Sequence, residues 1–372
     1  MKYFIDSNIF DLKPMLKLRK LKWEETNKPD DSFLCIVEGP NAENYFTKKK
    51  CINARISFST NYETQLISYM KKKGLLYIKD KASLEKKLQN YDFILKSLNF
   101  SYLNSGVINN FVKNNKIDKF VVKPRYFSHS NEGVIITNDI NLAKKEIKKY
   151  GIKFPQWIIQ NYVESKTKHP HYLKGDLFLV KNIITKKIDL YFSKKIMFYG
   201  HHKKEEYAIP VKYKDTLKLI KEGFTNFEGV SYVDAENYFD KNIKQDYYKK
   251  KIFPKLKKMC KAIIENIEFD EINCYKNNLI CCQYMSIDLM QDNKDNLKLL
   301  EINVVPTNHF SSKEIDEITK LDIYPKIRKI YPELKQNKKY IQDLFNDMLS
   351  LTLDTIYPND YQHKLKYLIK SN

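Results

Sequence analysis

Tyr284-Met285-Ser286-Ile287-Asp288-Leu289-Met290 and Leu297-Lys298-Leu299-Leu300-Glu301-Ile302-Asn303 are two apolar runs that flank a polar segment rich in Asp and Asn. This pattern predicts two β-strands joined by a hairpin turn. Glu301 and Asn303 are two positions apart and therefore project from the same face of their strand. Folding of the hairpin brings Asp288 next to them, as a direct or diagonal cross-strand neighbour.

The polar side chains of this hairpin have the composition of a metal site. Two carboxylates, Asp288 and Glu301, would converge with the amide oxygen of Asn303. Hard oxygen ligands of this kind suit Mg²⁺, which binds one or two carboxylates together with waters and substrate phosphates. The alternative is a hairpin whose polar face lies in water, but carboxylates are seldom buried unpaired and both strands are strongly apolar. The sequence therefore predicts a magnesium site at these three residues.

The composition indicates a globular protein with a substantial core. The chain has 372 residues, of which 42% are hydrophobic, and this length allows two or three domains. The N-terminus reaches a charged residue at once, and no stretch approaches the roughly 20 apolar residues of a membrane span. The six cysteines lack CxxC spacing, which indicates reduced core residues. We therefore expect a cytoplasmic protein without a membrane partner.

The net charge of +21 predicts an acidic partner through long-range attraction. The basic residues are almost all lysine, and arginine occurs only at Arg19, Arg55, Arg125 and Arg328. Sequence-specific DNA-binding proteins use arginine forks to read bases, and no RRM, zinc-finger or helix-turn-helix signature is present. These features disfavour nucleic acid as the partner. The simpler alternative is a lysine-rich surface that is solvated and has no acidic partner.

A strand that ends in a lysine gives the next chemical signal. The predicted strand 119–124 ends in Lys123 and a proline, and a polar loop through Ser128 and Ser130 leads to Gly133. A lysine at a strand end supplies a point charge, and a loop of small residues supplies backbone N–H groups, so that together they suit a phosphate. The alternative is an ordinary basic hairpin.

Two further segments carry polar side chains on predicted strands. Gln160-Asn161-Tyr162-Val163 is the polar end of a buried strand, and Lys174-Gly175-Asp176-Leu177 begins a β-rich hairpin. Both segments lie between the lysine strand and the Asp288 hairpin, so the chain has four polar signals in a fixed order.

These four signals, in this order, resemble the ATP-grasp enzymes and specifically the tubulin tyrosine ligase-like family. Phe224-Thr225-Asn226 is similar to the family's Leu-Thr-Asn segment, and Leu349-Ser350-Leu351-Thr352 fits its C-terminal helix. The resemblance extends from about residue 52 to residue 356. The pattern Asp288…Glu301-Ile302-Asn303 is its most specific part.

The resemblance implies an α/β (α+β) ATP-grasp fold with three lobes, in which ATP is clamped between two β-sheets. We expect an N-terminal α/β domain at 1–90, a central ATP-grasp subdomain with the phosphate loop at 91–163, and a C-terminal ATP-grasp domain at 164–372. The C-terminal domain would contain the magnesium-binding hairpin and the last helix.

The resemblance also implies an activity, which is ATP- and Mg²⁺-dependent ligation of a free amino acid to an acidic protein tail. In that chemistry a carboxylate is activated as an acyl phosphate, and an amine then displaces the phosphate. Glutamate and tyrosine are both open as the added amino acid, and tubulin or a similar Glu-rich segment is the expected acceptor. Association with the cytoskeleton would follow from such an acceptor.

The same resemblance assigns roles to individual residues. Lys123 would hold the phosphates, and Lys174 and Asp176 would line the nucleotide and acceptor site, so these three are the implied catalytic residues. The loop 128–133 would cover the phosphates, and the segment 160–163 would hold the adenine edge. The implied nucleotide-binding residues are Lys123, Ser128, Ser130, Gly133, Gln160, Asn161, Tyr162, Val163, Lys174, Asp176, Asn226, Asp288 and Glu301.

Two departures from the family pattern concern arginines. Phe178 stands where the family has an arginine, and a second family arginine falls near Ser193, which is followed by two lysines. Arginine recognises carboxylates through a fork that lysine does not reproduce. A different registration, with His171 opposite the family lysine, would leave Leu173 and Gly175 at the family's aspartate and arginine positions. The identity of the added amino acid is therefore left open.

A competing hypothesis is that the chain is a degenerate ATP-grasp scaffold, which binds an acidic polymer without ligation. The two lost arginines favour this hypothesis. The three predicted metal ligands argue against it, because a pure binding protein has no need of them.

Overall fold

The computed structural model describes residues 2–6, 16, 20, 22–28, 34–38, 54–59, 78, 80–125, 133–164, 172–181, 187–199, 232–266, 282–303, 334–356 and 364–371. Within these ranges three β-sheets follow one another along the chain, and we call them the N-terminal, central and C-terminal sheets. They are built from residues 2–59, 97–161 and 172–370. Each sheet thus falls inside one of the three predicted domains, whose boundaries stay predictions.

The N-terminal sheet has four parallel strands in the order β2-β1-β3-β4. Its strands are β1 (Lys2–Asp6), β2 (Glu24–Glu25), β3 (Leu34–Glu38) and β4 (Ala54–Ser59). Parallel neighbours need crossover connections, so this arrangement agrees with the predicted α/β character of the first domain.

The central sheet is antiparallel, with the strand order β5-β8-β6-β7. Aromatic and aliphatic side chains such as Phe120 and Trp157 point from one face into a core shared with two helices. Strand alternation turns Lys123 and Gln160 to the opposite face. The elements of this region are α1 (Lys81–Leu88), β5 (Ser97–Ser101), α2 (Val107–Asn115), β6 (Phe120–Pro124), β7 (Ile135–Thr137), α3 (Ile140–Tyr150) and β8 (Gln156–Asn161).

The C-terminal sheet is also antiparallel, with the order β11-β10-β9-β12-β13, and β14 pairs with β10. Its apolar face, which includes Leu177, Ile287 and Ile302, packs against two helices, Ala235–Asn242 and Phe253–Glu265, and forms the larger core of the described residues. Pro254 lies in the first turn of the helix Phe253–Glu265, where its missing N–H costs no helical hydrogen bond. The elements are β9 (Tyr172–Lys181), β10 (Ile188–Tyr199), β11 (Tyr232–Asp234), α4 (Ala235–Asn242), α5 (Phe253–Glu265), β12 (Cys282–Gln291), β13 (Leu297–Asn303), α6 (Leu334–Ile356) and β14 (Leu368–Lys370).

The long helix α6 covers part of the other face of the C-terminal sheet. Phe345 packs edge-on against Tyr284 of β12, with ring centroids 5.4 Å apart. Asp347, which is fully buried, accepts hydrogen bonds from the backbone N–H groups of Lys366, Tyr367 and Leu368 at 2.7–3.1 Å. These bonds hold the segment that leads into β14 against the helix. Two contacts therefore fix α6, the packing of Phe345 on Tyr284 and the hydrogen bonds to Asp347.

The helix α1 bridges the central and C-terminal sheets. Its Leu84 and Leu88 join the core of the C-terminal sheet, whereas Glu85 contacts side chains of the central sheet. Close by, the backbone N–H of Leu299 in β13 donates to the carbonyl of Phe93 at 2.9 Å. The helix and the segment that follows it therefore link the central sheet to β13, the strand that carries Glu301 and Asn303.

No helix in the described part of the chain combines the length and the apolar character that a membrane crossing requires. Cys260 of α5 is buried and reduced, as the sequence predicts. Burial raises the pKa of its thiol to about 12, so this cysteine is a core residue without thiolate chemistry at neutral pH.

Candidate functional site

A β-bulge in β13 sets the orientation of the polar hairpin. Asp288 pairs directly with Glu301, but the next residue of β12, Leu289, pairs with Leu299. Leu300 is therefore the extra residue of the bulge. In a regular strand Leu299 and Glu301 would share one face, because they are two residues apart. The bulge instead lets Leu299 face the apolar core while Glu301 lies on the opposite face, beside Asp288.

The predicted convergence of the three hairpin residues is found in the structure. The Asn303 side-chain amide nitrogen, Nδ2, donates to Asp288 Oδ2 at 2.6 Å and to Glu301 Oε1 at 3.1 Å. Asp288 is buried, and the side chain of Glu301 is 25% exposed. The amide therefore holds the two carboxylates together through its nitrogen, whereas the predicted metal site has the amide oxygen beside them.

A lysine that the sequence analysis missed completes this cluster. Lys81, the first residue of α1, places its Nζ 3.2 Å from Glu301 Oε2 and donates to the carbonyl of Pro124 at 3.5 Å. A cation in the first turn of a helix opposes the helix dipole. That unfavourable position was the one local signal that Lys81 has a specific anionic partner.

Lys123 joins the central sheet to the same hairpin. Its Nζ donates to the carbonyl of Leu300, the bulge residue, at 3.3 Å, and the side chain is buried. Burial and the neighbouring ammonium of Lys81 lower the pKa of Lys123, while the carboxylates of Glu301, Glu85 and Asp288 oppose that shift. The predicted phosphate lysine and the predicted metal ligands are thus neighbours, although 165 residues separate Lys123 from Asp288 in the sequence.

The charge state of Glu301 follows from these neighbours. Burial raises the pKa of its carboxyl, but the ammonium groups of Lys81 and Lys123 and the amide of Asn303 outweigh burial and lower it to about 2. Glu301 is therefore a carboxylate throughout the neutral range, which is the form that binds a cation.

Gln160, the first residue of the predicted adenine segment, lies on the face of the central sheet that carries Lys123. The Gln160 side-chain amide nitrogen donates to Glu85 of α1, and the side chain is 2% exposed. The Asn161 side-chain oxygen is buried and has no hydrogen-bond partner among the described residues. The ring of Tyr162 lies beneath the ammonium of Lys119 at 4.7 Å, and Val163 is buried.

The hairpin turn contacts the chain directly after this segment. The backbone N–H of Asn293 donates to the Glu164 carbonyl at 2.9 Å, and its side-chain amide donates to the Glu164 carboxylate at 3.1 Å. Tyr247 and Lys255 hold the same turn from the other side through Asp295. The predicted adenine segment and the predicted metal hairpin are therefore braced against each other.

Lys174 and Asp176 lie on the polar face of β9, where Lys174 is the cross-strand partner of Asp288. Both side chains are buried. Asp176 accepts hydrogen bonds from the hydroxyls of Tyr284 at 2.8 Å and Tyr340 at 2.9 Å, one on each oxygen. Asp176 is therefore enclosed between β12 and α6.

The two positions that lack the family arginines are enclosed in the same way. Phe178 is fully buried, and Ser193 is 3% exposed. The hydroxyls of Ser193 and Tyr340 share a hydrogen bond of 2.5 Å. Burial and the Asp176 carboxylate raise the pKa of Tyr340 well above its ordinary value. This polar network of serine, tyrosine and aspartate fixes α6 on the sheet.

Three of the predicted site residues, Ser128, Ser130 and Asn226, lie outside the described residues. Gly133 is described, and it has a positive φ of 75°. A Cβ at this position would lie 3.0 Å from Pro124 Cγ and 3.2 Å from Phe154 Cε2. Close packing against those two side chains thus requires glycine here, and this structural reason is separate from the predicted approach to a phosphate.

The residues of the hairpin fit a hard divalent cation. Within the described ranges no group of three or more His, Cys, Asp or Glu side chains is placed to hold a metal ion. The hairpin offers two carboxylates and the amide of Asn303. The hydroxyl of Ser286 in β12, on the face that carries Asp288, is fully buried and has no hydrogen-bond partner among the described residues. The Lys81 ammonium already lies against Glu301, which shows that the cluster accepts a positive charge.

Comparison with solved structures identifies the fold. The structure is similar to that of the C-terminal domain of Pby1 from K. lactis, an ATP-grasp enzyme that interacts with the mRNA decapping enzyme Dcp2. The TM-score is 0.56 at 12% sequence identity, and the match covers 100% of this chain and 98% of the Pby1 domain. The chain has an ATP-grasp fold.

The predicted ATP-grasp fold class is therefore confirmed. At 12% identity the similarity extends to the fold alone. No protein-family model and no curated protein matches the sequence. The central and C-terminal sheets are the two sheets that face the candidate site, and their contacts through Lys81 and Lys123 place the polar hairpin between them.

Proposed function

We propose that this chain is an ATP- and Mg²⁺-dependent carboxylate–amine ligase that adds an amino acid to an acidic protein tail such as that of tubulin. The observation that carries the proposal is the contact between Lys123 and the bulge of the carboxylate hairpin at 3.3 Å. It gathers a buried cation and two carboxylates at the junction of two sheets, in a fold that includes ATP-grasp enzymes.

Each charged residue of the junction has a role in this proposal. Asp288, Glu301 and Asn303 would hold Mg²⁺, and Lys123 would hold the phosphates of ATP. Bound Mg²⁺·ATP would supply a phosphoryl group that activates a carboxylate for attack by an amine. Lys81 has two candidate partners, Glu301 and a phosphate, and it would orient the phosphates once its contact with Glu301 is replaced.

The net charge of the chain supports the proposed acceptor. The chain carries a net charge of +21, which favours association with a Glu-rich tail. The enclosed positions of Phe178 and Ser193 mean that neither supplies a fork for a substrate carboxylate. The proposal therefore includes both glutamate and tyrosine as the added amino acid, and the experiment tests them side by side.

A second candidate function is supported by the enclosure of Asp176. Both of its oxygens accept hydrogen bonds from tyrosines, and the two family arginines are absent. A scaffold that binds nucleotide and an acidic polymer without ligation would have this arrangement. It predicts nucleotide binding with no covalent product.

The experiment that separates the two candidates is a ligation assay. The chain is incubated with Mg²⁺·ATP, each of the twenty amino acids and a set of Glu-rich tail peptides, and the peptides are measured by mass spectrometry. A ligase gives a peptide heavier by one amino-acid residue, with one ADP formed per bond. Nucleotide binding without any mass increase would support the scaffold and contradict the ligase.

A further inference from the structure

The proposed function gives no role to Glu85, a partly buried acidic residue near the candidate site. It projects from α1 onto Ser97 and Gln160, which are direct cross-strand partners in β5 and β8. The Gln160 Nε2 donates to Glu85 Oε1, and the Ser97 hydroxyl donates to Glu85 Oε2. Each oxygen of the carboxylate thus has its own donor from the central sheet.

This contact fixes which way the amide of Gln160 points. An ionised carboxylate has only acceptors, so the NH₂ group of the amide must face it. The carbonyl oxygen, Oε1, is then directed away from Glu85. Because Gln160 is held in the middle of the sheet and is only 2% exposed, its side chain presents a defined acceptor.

We propose that Glu85 is a positioning residue for base selection, which turns Gln160 Oε1 into a fixed acceptor for the exocyclic amine of adenine. This inference rests on the proposed function, because it requires the purine to lie along residues 160–163. Adenine carries an amine donor at C6, whereas guanine carries a carbonyl acceptor there. An acceptor fixed by Glu85 therefore favours ATP and repels GTP.

Burial of the Glu85 carboxyl makes this selection dependent on pH. Burial raises the pKa of Glu85 to about 7, against the attraction of Lys123 and Lys81, and Asp80 raises it further. The ionised form predominates above that value and holds the NH₂ group of Gln160. Below it, a protonated Glu85 donates a hydrogen bond of its own, and the amide can turn over. The preference for ATP is then weaker at pH 6 than at pH 8.

The test measures base preference rather than activity. A fluorescent ATP analogue is bound in the presence of Mg²⁺ and displaced by ATP or by GTP, and the ratio of the two Kd values is compared between variants. Glu85→Gln keeps the size of the side chain but lets either group of its amide face Gln160. We expect the preference for ATP, measured as the Kd of GTP divided by the Kd of ATP, to fall by up to about tenfold in Glu85→Gln. This is the equivalent of one hydrogen bond. Glu146→Gln is the matched control, because Glu146 lies on α3 and pairs with Lys149.

Two further measurements distinguish positioning from a structural effect. In a Gln160→Met background, Glu85→Gln should cause no additional change in the ratio, because its effect passes through Gln160. The wild type should also bind purine riboside triphosphate, which lacks the amine, more weakly than ATP, and this measurement needs no variant to fold.

The outcomes separate the inference from the proposed function. An unchanged ratio in Glu85→Gln, or equal wild-type affinity for ATP and purine riboside triphosphate, overturns the role of Glu85 while nucleotide binding stands. Absence of nucleotide binding to the wild type overturns the proposed function, and the inference with it.

Discussion

The ammonium of Lys123 lies 3.3 Å from the carbonyl oxygen of Leu300, the extra residue of the bulge in β13. The contact connects the end of a strand in the central sheet to the residue that sets the orientation of Glu301. One hydrogen bond therefore relates the predicted phosphate lysine to the predicted metal ligands. The bulge provides the carbonyl that Lys123 contacts, and it also turns Glu301 towards Asp288. Without the bulge, Glu301 would point into the apolar core.

Replacement of Lys81 should reveal competition between its ammonium and a metal. In the nucleotide-free protein, Lys81→Met removes the cation that lies 3.2 Å from Glu301. We expect Mn²⁺, used as a probe for Mg²⁺, to bind roughly tenfold more tightly, because a nearby like charge is lost. Calorimetric titration checks this, with Lys145→Met on the exposed side of α3 as the control. Unchanged or weaker Mn²⁺ binding would show that Lys81 does not occupy the cation position.

The tyrosines around Asp176 give a prediction about stability. Tyr340→Phe removes a hydroxyl that donates to Asp176 and bonds to Ser193. We expect the free energy of unfolding to fall by about 1–3 kcal/mol, the usual cost of depriving a buried polar group of a partner. The Kd of Mg²⁺·ATP should stay the same, because Asp176 is enclosed beneath α6.

Urea unfolding and nucleotide titration test this pair of outcomes. Tyr91→Phe is the matched control, since the Tyr91 hydroxyl donates to the exposed Glu265, and a change within about 0.5 kcal/mol is expected there. A stable Tyr340→Phe variant that binds ATP poorly would instead assign Asp176 to the nucleotide site, as the sequence resemblance implies.

Gly133→Ala should destabilise the turn into β7. The residue has a φ of 75°, and an added Cβ would lie 3.0 Å from Pro124 Cγ. We expect a loss of about 1–2 kcal/mol from the backbone conformation, with more from the contact. Gly106→Ala is the control, because its φ is −60° and its Cβ would meet nothing within 4 Å. If the two variants had equal stability in urea, the packing account of Gly133 would be wrong.

The lowered pKa of Glu301 predicts a specific dependence of stability on pH. Burial raises the pKa, but Lys81 and Lys123 bring it from 4.5 to about 2. A carboxylate of this kind stabilises the fold above its unfolded pKa, and that contribution is lost as the pH falls through the folded value. The difference in unfolding free energy between wild type and Glu301→Gln should therefore be largest near pH 6 and should shrink between about pH 4.5 and about pH 2.

Chemical unfolding at several pH values measures this difference. Glu265→Gln, at an exposed end of α5, should show no comparable trend. A wild-type advantage over Glu301→Gln that stays constant down to pH 2 would mean that the carboxylate is not stabilised by the two lysines.

The hairpin was predictable from sequence because its signals are local. Alternating apolar residues define β12 and β13, and the spacing of Glu301 and Asn303 places them on one face. The bulge at Leu300 was not predicted, because the apolar run 299–300 reads as continuous strand. The structure shows that this bulge determines the pairing of Asp288 with Glu301.

The other partners in the site come from long-range packing. Lys81 and Glu85 lie on a short helix whose position depends on both sheets, and nothing in the adjacent sequence identifies Glu301 or Gln160 as their partners. Asp176 is enclosed by Tyr340, which is 164 residues away. A motif that resembles Lys-x-Asp-Leu predicted the strand but gave no sign that α6 covers the aspartate.

The most direct test of the central claim is thermal unfolding of the wild type and of Glu301→Gln, each with and without millimolar Mg²⁺·ATP. A ligand that binds only the native state raises the apparent Tm. The account predicts a rise for the wild type that requires Mg²⁺ and disappears in Glu301→Gln. No rise in the wild type, or an equal rise in the variant, would contradict a nucleotide and metal site at the junction of Lys123 with the hairpin.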